Sequence, residues 1–178
     1  MSAVGRSLAA LAGVWLTACA ELAFVLPAQE VEFELAGRIA VKYRDQAASG
    51  NLAWRHAADS DELLITSPLG QGMARIVREG GEVVLTTPEG HEHRAADAES
   101  LTEQVLGFRL PLAGLADWVR ARPAPGPAQA HRDAAGRLEA LEQAGWRVEY
   151  LEYAGALPSR LRLTYPGLEL RVAVSAWK

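Results

Sequence analysis

Apolar and polar residues begin to alternate at Phe33. Phe33, Leu35, Gly37, Ile39, Val41 and Tyr43 fall on one side of the pattern, and Glu34, Arg38 and Lys42 on the other. This predicts a strand with one face buried. Gln46 to Gly50 reads as a turn. Leu52 and Trp54 then share a face, with Asn51 and Arg55 opposite. Asp59 to Asp61 reads as a second turn, and Leu63 to Thr66 as a third strand. Pro68-Leu69-Gly70 turns the chain into Gly72 to Val77, and Glu79-Gly80-Gly81 turns it into Val83 to Thr86, which Pro88-Glu89-Gly90 closes. Short strands about ten residues apart, punctuated by Gly, Asp and Pro, describe an antiparallel meander.

The period turns helical at Asp97, an N-cap with Glu99 in the first turn. Leu101, Val105 and Leu106 make an apolar stripe that Gly107 ends. Pro111 opens a second short helix in which Leu112, Leu115, Trp118 and Val119 share a face. Arg122 to Pro127 holds three prolines and reads as an extended loop. Strands return with Arg137 to Leu141, a hairpin turn at Gln143-Ala144-Gly145, and Trp146, Val148 and Tyr150 in alternation. Leu161, Leu163 and Tyr165 follow, then Leu168, Leu170, Val172 and Val174, ending at Trp177. Strands on both sides of a helical insert predict a mainly β (α+β) domain: an incomplete antiparallel barrel with helices over one side. A βαβαβ arrangement is excluded, because helices do not alternate with strands.

The inward positions form an apolar set. The strands contribute Phe33, Leu35, Ile39, Leu52, Trp54, Leu63 or Leu64, Ala74, Ile76, Leu85, Trp146, Val148, Leu161, Leu163, Leu170 and Val172. The helices add Leu101, Val105, Leu115 and Trp118. Such residues wall a cavity or fill a solid core equally well. Trp54, Trp118 and Trp146 stand out, because large rings can wall a cavity without filling it. Leu69 also stands out. Turn tips normally carry polar residues, so an apolar tip is either tucked back against the barrel or presented outward.

The N-terminus changes the setting. Arg6, a short apolar run from Leu8 to Leu16, and small residues before Cys19 have the layout of a secretory signal. The run is too short to span a bilayer, which takes roughly 20 apolar residues. Leu16-Thr17-Ala18-Cys19 fits a bacterial lipobox, the alternative being an ordinary secretory signal with an incidental cysteine. The lipobox reading puts a diacylglycerol thioether on Cys19 after removal of residues 1–18, with 19–30 as a lipidated tether and 31–178 as the folded domain. Loss of Arg6 leaves 17 basic against 22 acidic residues, a net charge of −5. That argues against nucleic acid as a partner and against adhesion to an anionic membrane by charge alone. With a single Cys the chain closes no internal disulfide, so the fold rests on its core; nearly half of the residues are hydrophobic.

No catalytic constellation emerges. His91-Glu92-His93 puts two histidines on one strand face, a possible start for a metal site, but beside Pro88-Glu89-Gly90 it reads better as a solvated hairpin end. No Gly-x-Ser-x-Gly elbow or phosphate-binding Gly-rich loop is present. Ser67, Ser100 and Ser159 lack an evident His partner. No enzyme, cofactor or metal is expected.

Several elements in order carry a family resemblance: the lipobox at Cys19, Leu35-Ala36-Gly37-Arg38-Ile39-Ala40-Val41, Trp54, Pro68-Leu69-Gly70, Asp97-Ala98-Glu99, and Leu110-Pro111-Leu112 through Leu115 and Trp118. Asp133, Gly136-Arg137-Leu138, Gln143 to Val148, Tyr153, Leu157 to Leu161 and Trp177 continue the series. The chain resembles the LolB family of outer-membrane lipoprotein receptors over essentially all of the mature sequence, with a tether short for the family. The resemblance implies an open barrel whose apolar interior, the set above, holds acyl chains. It implies a monomer on the periplasmic face of the outer membrane, anchored in its lipid at Cys19; Ala20 after the cysteine agrees with that sorting by family convention. It further implies that acylated lipoproteins arrive from a LolA-like periplasmic carrier and are inserted into the membrane, with Pro68-Leu69-Gly70 as the membrane-inserting loop. Two alternatives remain: a structural or adaptor lipoprotein with a solid core and no lipid cargo, and a receptor for free lipid.

Overall fold

The computed structural model describes residues 30–178. Cys19 and the signal segment lie outside the described residues. Eleven strands form one antiparallel sheet, interrupted by two helices. The first six are β1 (Val31–Tyr43), β2 (Gln46–Ala57), β3 (Ser60–Thr66), β4 (Gly72–Glu79), β5 (Glu82–Thr86) and β6 (Glu92–Ala95). Helices α1 (Ala98–Leu106) and α2 (Leu112–Trp118) follow. The chain returns through β7 (Ala128–Arg132), β8 (Leu138–Gln143), β9 (Trp146–Ala154), β10 (Leu157–Tyr165) and β11 (Leu168–Trp177).

Spatial order runs β6-β5-β4-β3-β2-β1-β11-β10-β9-β8-β7. The first and last strands are therefore neighbours at the centre, and β6 and β7 are the free edges. The sheet curls without closing, and the helical segment carries the chain from one edge to the other. Asp97 caps α1 by accepting from the Ser100 amide at 2.7 Å, and Gly107 ends it at φ 82°. Helix α1 packs on β5 and β6. Helix α2 packs on the other limb, where Trp118 Nε1 donates to Gln143 Oε1 (2.8 Å) and the Tyr150 hydroxyl donates to the Trp118 carbonyl (3.0 Å). Burial pushes the Tyr150 phenol's pKa up.

Several elements differ from the sequence reading. Gln46 to Gly50 is strand, not turn: the turn is Arg44-Asp45, and Gln46 pairs with Tyr43. Small side chains at Ala47, Ala48, Ser49 and Gly50 hide the alternation. Only Ala58 and Asp59 turn between β2 and β3, so Asp61 lies in β3 and points inward. Gln143 belongs to β8, and the turn is Ala144-Gly145, both at positive φ (52° and 80°), as a tight hairpin requires. Strand β7 is exposed at every position, and β6 is a four-residue edge. Neither has the buried face that makes a strand legible.

The closed end of the barrel is held by a polar network around Asp61, which is 2 % exposed. Trp54 Nε1 donates to Asp61 Oδ1 (2.8 Å), His56 Nδ1 lies 2.7 Å from the same oxygen, and Arg78 Nε donates to Oδ2 (2.7 Å). His56 Nε2 is 4.0 Å from Glu32, which also accepts from Arg120 Nη1 at 2.8 Å just beyond α2. That hydrogen bond holds the Glu32 carboxyl below the usual carboxylate range. Arg120 also lies over the Phe33 ring, 5.0 Å from its centroid. The network thus ties α2 to β1 and joins four consecutive strands.

Truncating Asp61 leaves the buried Trp54 indole N–H and His56 ring without their shared partner, while the partly exposed Arg78 can turn to solvent. Asp61→Ala is expected to cost about 2–3 kcal/mol, read as a lowered urea midpoint. Glu32 is solvent-screened, and its depressed pKa makes its contribution present at neutral pH and lost as pH falls through the lowered value. Glu32→Gln should therefore cost less than about 1 kcal/mol at pH 7 and nothing in strong acid, as unfolding curves at the two pH values would report.

Candidate binding groove and its rim

At the opposite end the interior opens into an apolar groove of about 260 Å³. Ile39 and Val41 of β1 form one wall with Ala48 and Gly50 of β2. Ile65, Met73 and Ile76 line the next strands, and Leu170 joins from β11. Leu106, Phe108 and Leu110, at and after the end of α1, form the roof. Tyr43 and Phe108 meet with ring centroids 5.7 Å apart. The run Ala47-Ala48-Ser49-Gly50 keeps the space open, because no large side chain enters it. Gly50 is obligatory: a Cβ there would overlap the Thr66 carbonyl oxygen of the next strand.

Of the inward set singled out from the sequence, Ile39, Ala74, Ile76 and Leu170 reach the groove. Phe33, Leu35, Leu52, Trp54 and Leu85 lie in the packed interior, as do Trp146, Val148, Leu161 and Leu163. Leu101, Leu115 and Trp118 are buried beneath the helices, and Val105 is half-buried against the same cluster. The tryptophans are committed to packing: Trp54 to Asp61, Trp118 to Gln143, and Trp146 to Tyr165, with centroids 5.2 Å apart. Leu63, not Leu64, faces inward; Leu64 is 41 % exposed. Sequence reasoning missed Met73, Phe108 and the small residues of β2. Phe108 lies in the link between helices, where no period marks it.

The Pro68-Leu69-Gly70 loop shares this end. It joins β3 and β4 just past two groove residues, Ile65 and Met73. Its base is closed by the Ser67 amide donating to the Gln71 carbonyl (2.7 Å) and the Gly70 amide donating to the Ser67 carbonyl (2.8 Å). Gly70 takes φ 86°, a conformation that favours glycine. The tip side chain has nothing to pack on: Leu69 is 90 % exposed. The structure therefore places it outward. Elsewhere, His91 and His93 flank Glu92 at the start of β6, His93 opposite Leu85. Among the described residues no group of three or more His, Cys, Asp or Glu could hold a metal ion. No helix among them is long and apolar enough to cross a membrane.

The family model described as Outer membrane lipoprotein LolB matches residues 31–177. The chain belongs to the LolB family. A LolB of Thiobacillus denitrificans is 39 % identical, covering 81 % of this chain and 78 % of its own. A LolB of an Azoarcus species is 38 % identical over 97 % of this chain and 94 % of its own. Both carry the name outer-membrane lipoprotein LolB. Among solved structures, a LolA superfamily protein of Nitrosomonas europaea is similar at 12 % identity, covering 86 % of this chain and 87 % of its own, with a TM-score of 0.49.

Ala48 pairs with Val41 across the groove wall. Ala48→Trp should fill the space and weaken binding of a fluorescent long-chain fatty acid at least about tenfold, a loss of about 1.4 kcal/mol. The urea midpoint should stay close to that of the wild type.

Proposed function

We propose that this LolB-family chain takes acylated lipoproteins from a LolA-like periplasmic carrier and inserts them into the outer membrane, to which it is itself anchored at Cys19. The observation that carries this reading is the common position of the apolar groove and the exposed Leu69 at one end of the barrel. An acyl chain in water costs roughly 0.8 kcal/mol per exposed CH₂, so a lipoprotein needs an apolar host at each step between membranes. The groove supplies one. At about 260 Å³ it falls just short of the usual range for ligand cavities, about 300–1,000 Å³. Cargo with several chains therefore has to lift the roof at Leu106 and Phe108. Transfer from carrier to receptor then runs downhill by differential affinity alone, each tenfold difference being worth about 1.4 kcal/mol.

Leu69 acts at the release step. A bare leucine beside the groove can enter the acceptor leaflet and offer the acyl chains a continuous apolar path out. The interior behind the groove is solid, as an adaptor lipoprotein without lipid cargo would require, and the same experiment separates the two readings.

The mature chain from residue 19, with Cys19→Ser, is mixed with a carrier loaded with an acylated lipoprotein. Movement of the lipoprotein to this chain without nucleotide, followed by pull-down, is the expected result. Retention on the carrier, with the chain folded, would overturn the acceptor reading in favour of the adaptor. Leu69→Glu should take cargo at the wild-type level and fail to pass it to vesicles.

A further inference from the structure

The convex face of the sheet carries a second depression that the cargo groove does not use. It has a volume of about 450 Å³ and lies between the exposed side chains of Arg38, Arg160 and Arg171. Its floor is made of small residues, Ala40, Ala173 and Ser49, and Pro68 of the rim loop bounds it. The registers explain the arrangement. Arg160 lies opposite Ala173, Ala173 opposite Arg38, Arg38 opposite Asn51, and Asn51 opposite Thr66 at the foot of the Leu69 loop. One lateral row therefore runs from the arginines to the loop. At about 4.8 Å between strands, Arg38 stands roughly 10 Å from Thr66. Asn51 Nδ2 donates to the Ser67 carbonyl (3.1 Å), fixing the loop to this row.

The charge on this face is opposite to that of the molecule. Around the depression, Arg38, Lys42, Arg160, Arg162 and Arg171 stand against three carboxylates, Glu149, Glu152 and Glu169, which leaves a local excess of two positive charges. The whole chain carries −4. Glu152 pairs with Arg160 (2.6 Å), Glu149 with Arg162 (3.4 Å) and Glu169 with Arg171 (2.8 Å). Arg38 has no hydrogen-bond or ion-pair partner among the described residues. A free guanidinium beside two further ones, over a floor of alanines, can present a two-donor fork to an oxyanion, and the adjoining Leu69 loop makes a lipid phosphate the oxyanion within reach.

We propose that this depression binds the phosphates of membrane phospholipid headgroups. The inference rests on the membrane-facing role of the Leu69 loop. With Leu69 in the acyl region, the row at the loop's foot meets the headgroup layer, and Arg38 is the residue nearest the loop with charge to spare. The site orients the barrel so that its groove faces the leaflet at release.

The test is co-sedimentation of the mature chain carrying Cys19→Ser with vesicles of phosphatidylethanolamine, with and without phosphatidylglycerol. Wild type should bind the phosphatidylglycerol vesicles more tightly, and added salt should remove the difference. Arg38→Gln should lower that binding about fivefold, Arg38→Gln with Arg171→Gln further, and Arg38→Lys should retain most of it. Leu69→Glu should weaken binding to both vesicle types. Equal binding by wild type and both glutamine variants, or no vesicle binding by wild type, would overturn the proposal. So would loss of cargo uptake from the carrier in Arg38→Gln with vesicle binding intact, which would assign the face to an acidic protein. Failure of wild type to take cargo at all would instead sink the acceptor reading, so the two failures are distinguishable.

Discussion

Pairing between β1 and β11 is the constraint from which the architecture follows. It places the two ends of the domain at the middle of the sheet and sends the middle of the chain to the two edges. An eleven-stranded sheet that never closes would leave both edge strands unpaired and exposed, which invites association with other chains. Here the segment linking those edges is itself the lid. Helix α1 lies on the β5–β6 limb, and α2 bonds to the β8–β9 limb. The helices therefore span the gap that hydrogen-bonded strands would otherwise close, and the interior stays open only where they end.

Polar groups inside the barrel fix the lid more sharply than apolar packing alone would. Gln143 accepts from Trp118 and from the Ala124 amide and donates to the Ala124 carbonyl, pinning α2 and the proline-rich loop together. Thr102, fully buried, donates to the Ala98 carbonyl and accepts from the Leu110 amide, setting the turn between the helices. Each is satisfied, and each would be costly to misplace. The groove end has no equivalent. Phe108 there meets the Tyr43 ring, whereas the Arg120–Glu32 end is fastened by a hydrogen bond.

Much of this was legible before the structure. Alternation at Phe33–Tyr43, Trp146–Tyr150 and Leu168–Val174 marked strands because one face of each meets the core. Asp97 and Gly107 marked a helix because their side-chain and backbone chemistry fits its ends. The illegible parts share a physical cause. Strand β7 buries nothing, and the first half of β2 carries side chains too small to show a face. Asp61 looked like a turn residue because a carboxylate in a core is rare; its partners Trp54, His56 and Arg78 come from three positions that no local pattern unites. The site divides in the same way. Leu69 was readable as an anomaly of residue type in a turn. The groove was not, because where packing gives out depends on how all the walls meet.

The hydrogen bonds between Glu34 and Lys178 hold the start of β1 and the C-terminal residue together at the closed pole of the barrel, while Leu69 lies at the open pole. From Val31 to the level of the loop is seven residues of strand, roughly 23 Å. The twelve residues from Cys19 to Glu30 can stretch to about 40 Å. Were the proposed anchor at Cys19 in place, the open pole would meet the same bilayer only by leaning over, using more than half of that length. The remaining slack would confine each molecule to a narrow belt of membrane around its anchor.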